Sequence, residues 1–90
     1  MDKKEIDAFI ADIMEVANRI KCIDNLITQI KTENLKNIYM NDMLTLIDDY
    51  NLMVLLLEKE ISRFSREQRK NGNNIQYLSY HKILKNLKKT

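Results

Sequence analysis

Residues 6–30 read IDAFIADIMEVANRIKCIDNLITQI, and their spacing decides the fold. Ile6, Ile13, Ile20 and Ile27 stand seven apart, and Phe9, Val16, Ile23 and Ile30 each lie three positions further on. Apolar residues alternating three and four apart form a stripe down one side of an α-helix, whereas a half-buried strand would alternate with period two. A heptad repeat of this kind keeps the stripe against a neighbouring helix as the two supercoil left-handedly. Just upstream, Asp2 and Glu5 have the spacing of a capping box, in which each satisfies an orphan backbone N–H of the first turn. The stretch predicts a long helix over about residues 3–32.

Beyond Ile30 the stripe stops, because Asn34 and Asn37 occupy its next two positions. A second stripe runs through Met40, Met43, Ile47, Tyr50, Val54, Leu57, Ile61 and Phe64, one residue out of phase with the first. A single unbroken helix would point the two stripes in different directions, so the chain should double back between about Lys31 and Asp42. Both stripes are equally long, and an antiparallel hairpin sets Ile30 beside Met40 and Ile6 beside Phe64. The second helix is expected over about residues 41–70, with Ile13, Ile20, Ile47, Val54 and Leu57 as core. After it, Asn71-Gly72-Asn73-Asn74 supplies residues that tolerate the left-handed conformation ending many helices. A short third helix at about residues 74–88 would then carry Tyr77, Tyr80, Leu84 and Leu87, capped by Asn73 or Asn74.

The expected fold is therefore all-α: an antiparallel helical hairpin with coiled-coil-like packing and a short C-terminal third helix, in one domain spanning residues 1–90. The composition agrees, since 44% of residues are hydrophobic and 31% charged, with no proline and Gly72 the only glycine. So few breakers let helices run long. A lone cysteine, Cys22, allows no internal disulfide and fits a reducing, cytoplasmic setting. The longest apolar run, Leu52 to Leu57, is far short of the roughly 20 residues that span a bilayer. The opening Met1-Asp2-Lys3-Lys4-Glu5 lacks the apolar stretch of a secretion signal.

Two features bear on function. First, the second helix carries more apolar side chains than one neighbour can cover, with Leu44, Leu46, Leu52, Met53, Leu55 and Leu56 all off the stripe. Large uncovered apolar patches mark interaction surfaces. Leu52, Met53, Leu55 and Leu56 are thus the expected contacts to a helical protein partner or another copy of the chain, and isoleucine at both heptad positions favours assemblies larger than a parallel dimer when helices self-associate.

Second, charge is uneven. Residues 63–90 hold eight basic groups and one acidic, while the preceding residues are net acidic and the whole chain is only +2. Arg63, Arg66, Arg69 and Lys70 recur along one helical side, and Lys82 and Lys85 follow on the third helix. Such cation rows hold phosphate backbones, and Tyr77, Tyr80 and His81 could stack on bases, so nucleic-acid binding is the alternative reading. The competing internal role is neutralisation of Asp2, Glu5, Asp7 and Asp12 at the start of the first helix. A helix-turn-helix around Gly72 is less favoured, since only Gln76 and Asn86 are placed for bidentate base contacts.

No catalytic, cofactor or metal signature emerges, and no small-molecule substrate is expected. One histidine and one cysteine give no paired ligand spacing, and one glycine cannot build a phosphate loop. Cys22 falls beside the first stripe and reads as a partly buried thiol. The carboxylate pairs Asp48-Asp49 and Glu58 with Glu60 read as solvated helix surface. Glu5-Ile6-Asp7, Arg19 and Lys31 on a long first helix loosely resemble the all-helical chorismate mutases, which are intertwined dimers of this length. That resemblance implies carboxylate-clamping arginines, but Lys3 stands where one is needed near the start and none follows Lys31 until Arg63. Lysine does not replace arginine at such a clamp, so the chain is not assigned to that family.

Overall fold

The structure, a computed structural model, describes residues 2–70 and 75–89, and the side chains of 68–70 and 75–78 lie outside the description. Three helices follow in order: α1, Lys3–Gln29; α2, Glu33–Lys70; and α3, Ile75–Lys88. No strand occurs among the described residues. The segment around Gly72, with its proposed caps, falls outside them.

Asp2 starts α1 as the sequence predicts, its carboxylate accepting from the Glu5 N–H at 2.9 Å. Ile30 ends the helix in an extended conformation, at φ −82° and ψ 127°. The next helix begins at once, with the Thr32 carbonyl accepting from Lys36 N–H at 3.0 Å. The turn is therefore confined to about three residues, and the expected turn over residues 31–42 is corrected. Asn34 and Asn37 are exposed on the first turns of α2 and do not break it. No glycine or proline interrupts this stretch, and Tyr39 on it turns half inward while Leu35 stays exposed.

With so short a connection, α1 and α2 can pack only antiparallel, and they do pack along their length. At about 1.5 Å per residue the 38 residues of α2 span roughly 57 Å, which sets the long dimension of 58 Å. The shorter α1 leaves the far end of α2 uncovered. There α3 folds back antiparallel along α2, which carries it past the start of α1.

One core joins all three helices at that end. Ile6, Ile10 and Ile13 of α1 meet Tyr50, Val54, Leu57, Ile61 and Phe64 of α2 and Tyr80 and Leu84 of α3. Ile13 and Leu57 are wholly buried, and full burial of such a side chain contributes about 1.5–3 kcal/mol. The rings of Phe64 and Tyr80 meet edge to face at 5.5 Å, an arrangement that aromatic quadrupoles favour. Polar contacts complete the docking of α3. The Tyr80 hydroxyl donates to Asp7 Oδ1 at 2.8 Å, the Tyr50 hydroxyl donates to the Leu87 carbonyl at 2.7 Å, and Lys88 Nζ pairs with Glu58 at 2.9 Å.

The core differs in place from the expected one. Ile13, Val54 and Leu57 are buried, but Ile20 and Ile47 are only half-buried, because α3 does not reach the part of the hairpin where they pair. Ile10, off the first stripe, is buried, since α3 widens the covered face of α1. Met40 is exposed, and Leu46, expected off the stripe, turns half inward in its stead.

Candidate interaction surface

α2 turns about 100° per residue, so residues at successive steps of three or four share a face. Leu57 and Ile61 define the inner one. On the opposite side, Leu44, Asp48, Leu52, Leu55, Lys59, Arg63 and Arg66 follow one another at those steps, and all seven are exposed. Leu44 is 55% exposed, Leu52 56% and Leu55 50%, with Leu56 at the edge of the face at 43%. Neither α1 nor α3 covers them, because each packs on a flank of the inner face.

Of the four residues expected to meet a partner, three are therefore exposed. Met53 is not among them: it lies four positions before Leu57, on the inner side, and packs half-buried against the core. Leu44 joins the surface instead. Its signal in the sequence is its place eight residues before Leu52, two steps of four along one face.

The basic residues divide. Arg63 is exposed and lies 3.7 Å from Glu60 of its own helix, and Arg66 is exposed beside it. A shallow open groove of about 440 Å³ along α2 runs between Leu55, Glu58, Lys59, Ser62, Arg63 and Arg66. Lys82 and Lys85 are exposed on α3, whereas Lys88 of the same row is engaged by Glu58. The side chains of Arg69, Lys70 and Tyr77 lie outside the described residues. As for neutralising the start of α1, Asp7 receives the Tyr80 hydroxyl, and Arg63 pairs within α2.

Among the described residues Tyr80 is the group whose titration is clearly displaced: burial, then the hydrogen bond to Asp7 and the charge of that carboxylate, push its phenol from 10.0 up to about 12. This follows from holding a neutral donor against a carboxylate away from water. The arrangement fastens α3 to α1.

Elsewhere, Cys22 is exposed where a partly buried thiol was expected. It borders an open groove with Glu15, Asn18, Arg19, Ile23 and Leu46. Arg19 pairs with Glu15 at 3.3 Å on the surface. Asp48 and Asp49 are both exposed. Among the described residues no three histidine, cysteine or acidic side chains gather where a metal ion could be held, and no helix is long and apolar enough to cross a membrane. Comparison of the chain with protein-family models, with curated proteins and with solved structures finds no match.

Proposed function

We propose that this chain is a non-catalytic helical docking module, an adaptor, inhibitor or small regulatory subunit, whose outer α2 face takes up another helical surface. The observation that carries this reading is the row of Leu44, Leu52, Leu55 and Leu56, each more than two-fifths exposed on a helix whose inner face already fills the core. A helix that is apolar on its inner stripe and again on its outer face has more to bury than its own chain covers. The rim of that face is polar and charged, as interaction surfaces are.

The test is retention of a partner from the native host by the wild-type chain and by the double variant Leu52→Glu/Leu55→Glu, with helix content followed by circular dichroism. A partner held by the wild type and lost by an equally helical variant supports docking through this face. Equal retention by both overturns it.

The exposed Arg63, Arg66, Lys82 and Lys85 favour a second reading, binding of a nucleic-acid backbone. Such binding weakens steeply with salt through counterion release. Retardation of DNA or RNA at low salt that disappears in Arg63→Ala/Arg66→Ala would support it, and no retardation by the wild type would remove it.

A further inference from the structure

We infer that the occupant of the outer α2 face is a second copy of this chain, its α2 lying antiparallel across a twofold axis between Leu52 and Leu55; this rests on the docking reading above. The argument is the order of residues along the face. From one end to the other it runs Leu44, Asp48, Leu52, Leu55, Lys59, Arg63, with one acid and one base placed symmetrically about a leucine centre. Reversing the helix against itself about that centre sets Leu52 on Leu55 of the other copy. The same register sets Asp48 on Lys59, twice, by symmetry. It also lays Leu44 beneath Arg63, whose methylene stem can cover the leucine while its head stays in water.

Any parallel arrangement about a twofold axis places Asp48 against Asp48 and Lys59 against Lys59, so like charges oppose it. A shift of three residues in the antiparallel arrangement still lays Leu52 or Leu55 on its own copy but leaves Asp48 facing no base, and a shift of four toward the basic end sets Asp48 on Arg63 while pressing Lys59 against Leu52. The register centred between Leu52 and Leu55 is the one that sets Asp48 on Lys59 while laying leucine on leucine, and a patch complementary to itself in this way is what a twofold interface requires. Among the described residues neither Asp48 nor Lys59 makes an ion pair within its own chain, so both are available. Glu58, the acid next to Lys59, is engaged by Lys88 of α3, and Arg63 further along is paired with Glu60. Exposed ion pairs contribute little affinity beside apolar burial, so the leucines hold the copies together and the charges choose orientation and register.

Sedimentation equilibrium of the full chain tests this. The wild type should be dimeric at about 100 µM, a concentration at which even modest self-association is populated. Leu55→Glu should weaken association at least about 10-fold with helix content unchanged. Asp48→Lys and Lys59→Asp should each weaken it about 3- to 10-fold, since each replaces two attractive pairs by two repulsive ones, and the double variant Asp48→Lys/Lys59→Asp should recover most of the loss. A monomeric wild type overturns the inference, as does a dimer indifferent to Leu55→Glu or a charge exchange without recovery. A monomer that still retains a host partner through Leu52 and Leu55 would leave the docking reading standing and refute only the second copy.

Discussion

The two ends of the hairpin are built from the same repeat and reach different degrees of burial. Where α3 is present, Ile6, Ile10 and Ile13 are closed in by Leu57, Ile61, Phe64, Tyr80 and Leu84. Toward the turn, Ile20, Ile23 and Ile30 on α1 and Met43, Leu46 and Ile47 on α2 are only half-buried, with Ile27 the buried exception. A stripe two residues wide is enough to hold two helices in contact, but two cylinders shield only the line between them. A third helix turns that line into an enclosed core. The stability of this chain should therefore be concentrated where α3 packs on the hairpin.

Core truncations should break or sharpen this contrast most strongly. Ile13→Ala should cost about 3 kcal/mol in denaturant unfolding, and Leu57→Ala about as much, whereas Ile20→Ala on the same stripe should cost only about 1 kcal/mol. Equal losses at Ile13 and Ile20 would mean the open end is covered in solution. Amide hydrogen exchange gives the same comparison without substitution: amides of residues 6–13 should exchange far more slowly than those of residues 20–27.

The tie between α3 and α1 is the next largest effect. Tyr80→Phe keeps the ring against Phe64 and removes the hydrogen bond to Asp7, so it should cost about 1 kcal/mol. The tie is also sensitive to alkali. Because the folded-state pKa of Tyr80 is raised to about 12 from 10.0, its contribution is fully present below pH 10 and is lost as pH rises through 12. Wild-type stability should fall across that window more steeply than that of Tyr80→Phe, in which this group does not titrate. Parallel pH profiles would show that the phenol is not held against the carboxylate. The smallest effect should come from Lys88→Ala, which removes a surface pair with Glu58 and should change stability by roughly 0.2–1 kcal/mol, less in high salt.

Residues 6–30 made α1 readable because period and apolar character agree at every position of the stripe. The second helix was harder. Asn34 and Asn37 resemble a break when measured against the phase of α1, yet in the phase of α2 both simply point outward. The spacing alone therefore puts the turn over residues 31–42, whereas the structure closes it before Glu33. Among the surface residues, Leu52, Leu55 and Leu56 are legible as surplus to the stripe and are exposed, while Met53, equally off the stripe, packs against the core. Its four-residue step to Leu57 puts it on the inner side, and that distinction depends on knowing which direction is inward.

By itself the sequence determined that this chain is helical, how the stripes recur, and that α2 carries apolar residues beyond one seam, since these follow from local spacing and from the scarcity of glycine and proline. Only the tertiary structure decided where α3 lies. That placement selects Ile10 over Ile20 for full burial, brings Tyr80 to Asp7, and leaves the leucines of the outer face uncovered. The physical reason is that periodicity specifies a direction around a helix axis, whereas burial depends on what stands in that direction.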